Sequence, residues 1–387
     1  MWSLARDRSV SVAHGGRNAF YRGQVSCIGS RGRRTNRLVV VLLSAVVLLL
    51  TGASPATAHT DRGVAGSNFA GRVVDLSAPM PGVEIRVTEF GDSLELRNGS
   101  SATIAVYGYS DEEYLRIGPD GVWRNANSPA TYLNLARDGV VDLPLNADPR
   151  AEPDWRQVST QPEYDWHDHR THWMSASPPP QVAADPQSEH TVIEWQVPLA
   201  YGETAVAVSG ELTWSPPPVK ALWWPVYVLI AVAGALAGFL GRGARPLGVL
   251  LLMAVTAAVW HLVATPQSGL TATDRALALG AASLPTVVVG VVTAIGVRAA
   301  FRGNGLLAGT MAAIAGFMHL VQGLPDMDVL WGANVITSGP PALARLSVAL
   351  LIFGGLGLML GSAGAARRFR PPLPARVAQT PQPVATT

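Results

Sequence analysis

A single cysteine, Cys27, stands in a chain of 387 residues. It lies upstream of the export signal described below, so an exported chain carries no thiol. Disulfides, cysteine nucleophiles and thiolate metal ligands are thereby excluded. Charge is scarce as well: 14% of residues are charged against 48% hydrophobic, which argues against a single water-soluble domain. Catalytic signatures are missing too, with no G-x-S-x-G elbow, P-loop or dinucleotide fingerprint, and the chain reads as non-enzymatic. The formal net charge of +2 hides an asymmetry. From His59 to Lys220, 11 basic residues face 23 acidic ones, a net of −12. An acidic domain repels phosphate backbones, so nucleic acid is not an expected partner, and cations or basic partners are.

What is present is an export and anchoring pattern. Arg31, Arg33, Arg34 and Arg37 precede an apolar run from Leu38 to Leu50, and a small-residue stretch ends Ala56-Thr57-Ala58. A basic region, a short apolar region and an A-x-A site are the parts of a secretory signal. The run, 13 residues long, is short of the roughly 20 a membrane span needs. Cleavage after Ala58 would make His59 the mature N-terminus. Five longer hydrophobic runs follow, at about 222–241, 246–264, 277–300, 304–322 and 342–362, each long enough to cross a bilayer as a helix. Arg242 and Arg245, Arg298 and Arg302, and Arg367, Arg368, Arg370 and Arg376 alternate to one side. The positive-inside rule makes that side cytoplasmic and the 59–221 region extracytoplasmic. Trp223, Trp224, Tyr227 and Trp260 fall where an outer aromatic belt would sit.

Region 59–215 reads as β-rich. Val83–Thr88 and Ser93–Leu96 alternate apolar and polar residues, and Thr103–Tyr109, Thr191–Val197 and Ala205–Trp214 behave similarly. Gly91-Asp92, Asn98-Gly99 and Pro119-Asp120-Gly121 mark turns. The expected fold is a β-sandwich-like domain of the immunoglobulin or cupredoxin-like kind, followed by an all-α bundle of about five transmembrane helices. The expected organisation is a 1–58 extension and signal peptide, the 59–215 β domain, a proline-rich 216–221 spacer, the 222–362 membrane domain and a 363–387 cytoplasmic tail.

One segment concentrates chemistry. Tyr164-Asp165-Trp166-His167-Asp168-His169-Arg170-Thr171-His172-Trp173-Met174 holds three of the eight histidines within six positions. Extended, it puts His167 and His169 on one face; a helical turn after His169 brings His169 and His172 together. Either way two imidazoles can converge on one ion, with Asp168 or Asp165 assisting. An N/O donor set suits copper(II) or zinc(II), and Met174 would suit copper(I). His59 as a free N-terminus would add an amine and an imidazole. The competing reading is a structural network, with Asp168 paired to Arg170 and the tryptophans packed around them. In the membrane region, His261 and the Met318-His319 pair fall at similar depth near the same bilayer face, with Asp326 and Asp328 in the adjacent loop. They are candidates for a second metal or proton site, or for histidines that cap their helices at the interface.

The A-x-A signal exposing His59, the small β domain, the proline-rich spacer and the bundle with histidines near one face together resemble bacterial envelope proteins that join a CopC-like β domain to a CopD-like membrane domain. Val208-Ser209-Gly210-Glu211-Leu212-Thr213-Trp214 is similar to the last strand of a CopC-like domain. That resemblance implies copper(II) held by His59 with a D-x-H pair, although no such pair stands just before Val208. The W-H-D-H-R-x-H-W-M segment is similar to one that recurs in uncharacterised actinobacterial exported membrane proteins. The expected function is a membrane-anchored envelope protein that binds copper, or alternatively zinc, in its exported domain and serves copper homeostasis or transfer. A non-enzymatic interaction or scaffold protein with a structural histidine cluster is the alternative. Expected partners are a metal ion, the lipid bilayer and other envelope proteins.

Overall fold

The computed structural model describes residues 65–267 and 272–369, all within one compact unit. The expected signal peptide and His59 lie outside the described residues. The chain is sheet-rich first and helical afterwards. The described residues form twelve strands: β1 (Gly66–Ser67), β2 (Phe69–Leu76), β3 (Val83–Thr88), β4 (Ser93–Asn98), β5 (Ile104–Tyr107), β6 (Glu113–Gly118), β7 (Gly121–Asn125), β8 (Trp155–Ser159), β9 (Glu163–His167), β10 (His190–Tyr201), β11 (Thr204–Trp214) and β12 (Asn334–Val335). A seven-stranded antiparallel sheet runs β2-β11-β10-β5-β6-β7-β8, and a three-stranded one runs β3-β4-β9.

Alternation sets which residues meet between the layers. Leu94 and Leu96 of β4 are buried, as are Ile104 and Val106 of β5, Val197 and Leu199 of β10, and Val206 and Val208 of β11. The intervening residues Glu95 and Arg97 turn outward and pair with Arg86 and Glu163. The strand expected to reach Tyr109 stops at Tyr107. Gly108 N donates to Glu112 O at 2.8 Å, and Asp111 takes φ +62, so the chain turns there instead of extending. The two runs expected at 191–197 and 205–214 are the arms of one long hairpin closed at Gly202-Glu203.

Five helices among the described residues are long and apolar enough to cross a membrane: α1 (Lys220–Phe239), α2 (Arg245–Ala264), α3 (Ala272–Phe301), α4 (Gly305–Gly323) and α5 (Pro341–Arg368). Association of apolar helices rests on close packing of small residues, since lipid is as apolar as the helix faces. Gly234 and Gly238 of α1 lie against Gly357 and Gly361 of α5 so closely that a Cβ on Gly238 would collide with the Gly361 carbonyl. α5 continues through a wide helical turn at Leu350–Gly354. Among the expected aromatic belt, Tyr227 is fully buried, stacked on Phe353 with ring centres 5.3 Å apart and packed against Trp223 and Trp331. Its 0% exposure reflects a cluster between α1, α5 and the turn after α4.

The β-rich part and the helices are joined beyond the 216–221 connection. β1 pairs antiparallel with β12, which lies between α4 and α5. Arg345 of α5 is buried and donates to the carbonyls of Gly332 and Ala333 at 2.6 and 3.0 Å, holding that connection in place.

Candidate functional site

β9 carries the histidine-rich segment to its place. Pairing of Leu94 with Trp166 and Ser93 with His167 buries Trp166 and His167 at the end of the three-stranded sheet. A turn follows at once. Thr171 N donates to Asp168 O at 3.1 Å, and the Thr171 hydroxyl donates to Gly91 O at 2.6 Å. Asp168 favours such a turn because its side chain accepts from its own following backbone, here Arg170 N at 3.1 Å.

The turn brings the three imidazoles together. Ring centres of His167 and His169 are 4.9 Å apart, those of His167 and His172 4.5 Å, and those of His169 and His172 5.7 Å. His167 and His172 are each 2% exposed and Asp168 is completely buried. Asp168 is committed to its own segment. Its Oδ1 accepts from Arg170 Nε at 2.8 Å, and its Oδ2 from Arg170 Nη2 at 2.7 Å and from Trp166 Nε1 at 3.1 Å. The Arg170 guanidinium also donates to Tyr107 O and lies over the Tyr109 ring.

Two rings reach across to one loop. His169 Nε2 stands 2.8 Å from Ala136 O. A carbonyl only accepts, so Nε2 carries a proton. His172 has a carbonyl at each ring nitrogen: Asp168 O at 3.1 Å from Nδ1 and Arg137 O at 3.2 Å from Nε2. A neutral ring donates to one of them; a charged ring would satisfy both. Burial pushes the His172 pKa down, outweighing Asp92 and the two carbonyls, which favour the charged form. Burial and the Asp168 charge push the Tyr109 hydroxyl well up, so it stays protonated. Tyr109 Oη accepts from His169 N at 3.0 Å, and its ring stacks on the His169 ring.

The loop so gripped is pinned elsewhere too. Arg137 forms a two-point ion pair with Asp92, at 2.7 and 3.2 Å. Gly139, at φ +68, presses on His169 and Met174; a Cβ there would stand 2.9 Å from His169 Cε1 and 3.2 Å from Met174 Cε. Beyond these anchors Leu135, Val140, Leu143 and Leu145 are exposed, at 71%, 79%, 45% and 107%. The sequence offered no sign of this pairing of loop and cluster, because backbone carbonyls carry no side-chain signature.

Three imidazoles bound to one tetrahedral ion would have ring centres about 5 Å apart, and these three do. Backbone carbonyls on ring N–H groups are also how metal-bound histidines are oriented. The donor directions differ, however. Asp168 has all its hydrogen-bonding directed to Arg170 and Trp166, and both nitrogens of His172 face carbonyls. Among the described residues no group of three or more His, Cys, Asp or Glu side chains is arranged to hold an ion.

The membrane histidines are placed differently. His261 Nε2 lies 2.8 Å from Oδ2 of Asp326, whose side chain is 1% exposed. Its neighbours Ala264 and Thr265 line a cavity of about 10 Å³, room for about one water, together with Ala65, Trp260 and Val329. His319 is fully buried in α4, and Met318 packs beside the α2–α3–α4 core. The sequence grouped Asp326 with His261 and His319 near one bilayer face, but did not show which histidine the carboxylate meets. Comparison of the chain with family models, curated proteins and solved structures finds no match.

Proposed function

We propose that this chain is a membrane-anchored recognition protein of the cell envelope, non-enzymatic, whose β domain displays an apolar loop clamped by its histidine cluster. In this reading the domain is an immunoglobulin- or cupredoxin-like sandwich facing the extracytoplasmic side, with the C-terminal tail in the cytoplasm. The arginines at the α1–α2 and α3–α4 connections and at the end of α5 support that orientation. So does the β1–β12 pair, which associates the β domain with the α4–α5 connection on the other side. The observation that carries the reading is the grip of His169 and His172 on Ala136 and Arg137, with Leu135, Val140, Leu143 and Leu145 exposed beyond it. Exposed apolar side chains grouped on one loop suit an apolar surface on another envelope protein.

The spacing of the three rings favours a second reading, uptake of a transition ion, copper first and zinc second, at His167, His169 and His172. One experiment separates the two. The full chain in lipid nanodiscs is melted with copper(II), zinc(II) or chelator, beside His167→Ala/His169→Ala. Saturable stabilisation lost in the double variant would replace the first reading with the second. Destabilisation by the double substitution without metal dependence is the result expected here. A photo-crosslinker at position 143 should then give a discrete adduct in native membranes, absent in Leu145→Asp.

A further inference from the structure

Apolar side chains fill most of the bundle, but four polar residues on α3 and α4, Thr286, Thr293, His319 and Gln322, are wholly or partly buried in it. His319 is completely buried, and its polar neighbour is the side chain of Gln322, three positions on, placed too loosely for a well-formed hydrogen bond. Thr293 Oγ1, on a residue 2% exposed, and the buried Oε1 of Gln322 likewise make no well-formed hydrogen bond among the described residues. Gln322 Nε2 reaches the hydroxyl of Thr286 at 3.4 Å.

Two points fix how the antiparallel helices face each other. One is the Gln322–Thr286 bond; the other is Gly296, where a Cβ would stand 2.8 Å from Met311 Cβ. In that register His319 stands opposite the stretch between Thr286 and Thr293, which lie about two turns apart on one face of α3. The four residues therefore occupy successive levels along α3 and α4, from Gln322 and Thr286 at the end nearest Asp326, through His319, to Thr293 deep in the bundle.

Polar atoms left unsatisfied in a bilayer interior are strongly unfavourable, and buried polar atoms in folded proteins are almost always paired with protein or with ordered water. Water suits this set: it donates to Gln322 Oε1 and the lone pair of His319, and accepts from the imidazole N–H and the threonine hydroxyl. The set has no carboxylate or thiolate, which disfavours a divalent ion. Its only titratable member is His319. Charged groups on the elements packed against α4 stand at helix ends or beyond: Asp274, Arg275 and Arg298 on α3, Arg245 and His261 on α2, Arg345, Arg367 and Arg368 on α5, and Asp326 and Asp328 in the following turn.

We propose that the α3–α4 seam is a hydrated proton site. Water bridges Gln322, Thr286, His319 and Thr293, and the imidazole of His319 takes up a proton from that water and returns it. Exchange with bulk solvent runs through the end of the seam where Gln322 leads to Asp326 and His261.

The test uses the full chain, labelled with 15N-histidine, in phosphatidylcholine–phosphatidylglycerol bilayers, with His319 assigned by its loss in His319→Gln. Solid-state NMR is expected to show magnetisation passing from water to the His319 ring nitrogens, and ring shifts that follow the external pH. Thr293→Val removes one hydroxyl at almost constant shape and is expected to slow that transfer severalfold. A ring that receives nothing from water, or a melting temperature that rises in His319→Leu as it would for an orphaned imidazole in a dry seam, would overturn the proposal.

Discussion

Asp328 holds the start of the β-rich part from 263 positions away: its Oδ2 accepts the backbone N–H of Ala65 at 2.8 Å, and that of Gly66 at 3.0 Å. Gly66 then pairs with Val335, and a Cβ on Gly66 would stand 2.7 Å from Asp328 O. The carboxylate thus docks the first strand onto the connection between α4 and α5. Asp328→Ala leaves two partly buried N–H groups without an acceptor, a loss of about 1–3 kcal/mol. Amide hydrogen exchange should accelerate at Ala65, Gly66, Asn334 and Val335 while the β10–β11 hairpin stays protected. Uniform acceleration over the whole chain would show that the tie is not local.

The Asp168–Arg170 pair should prove the strongest point of the histidine segment. Asp168 is fully buried, and among the described residues Arg170 is its cationic partner, at 2.7 and 2.8 Å. Removing one member of a buried pair strands the other charge, typically costing about 3–5 kcal/mol. Arg170→Ala is expected to lower the melting temperature of the β-rich part more than either His169→Ala or His172→Ala does. Arg170→Lys should recover little, because one ammonium cannot span both carboxylate oxygens and the Tyr107 carbonyl as the planar fork does.

Acid should weaken the histidine clamp. Burial lowers the His172 pKa in the folded state, so the unfolded chain binds more protons over the window just below the usual histidine value of 6.5. Stability is then fully present above about pH 6.5 and falls as pH drops through that window towards the folded value. Melting temperatures measured from pH 7.5 to pH 5 should decline, and His172→Gln should flatten part of the decline. An equal slope in wild type and variant would remove His172 as the source.

The sequence made legible those features that repeat along the chain. Apolar runs of bilayer length gave five spans, and strict alternation in Val83–Thr88 and Ser93–Leu96 gave strands whose buried members are Leu94 and Leu96. The nearness of His167, His169 and His172 was legible because a turn of six residues can hardly separate them. What they hold was not. Ala136 and Arg137 contribute carbonyls, which every residue has, and lie more than thirty positions away. The β1–β12 pair was equally hidden: two residues on each side are too few for any periodicity, and the half-buried Asp328 and buried Arg345 that hold the junction lie far from β1 in the chain.

The helix bundle should be most sensitive where it has no side chains at all. Gly238 and Gly361 bring α1 and α5 into backbone contact, and Gly234 and Gly357 repeat the approach one turn away, with a Cβ on Gly234 falling 2.7 Å from Gly357 Cα. Close approach of this kind supplies dispersion contact that larger residues would prevent. Gly238→Leu must therefore push the helices apart or distort them, at about 1–3 kcal/mol for overpacking and more if the whole seam opens. Gly243, with nothing within 4 Å of its would-be Cβ, is the matched control. In nanodiscs Gly238→Leu should lower the melting temperature by several degrees, whereas Gly243→Leu should leave it nearly unchanged. Equal effects would mean that the two helices are held by their aromatic cluster around Tyr227 and not by the glycine seam.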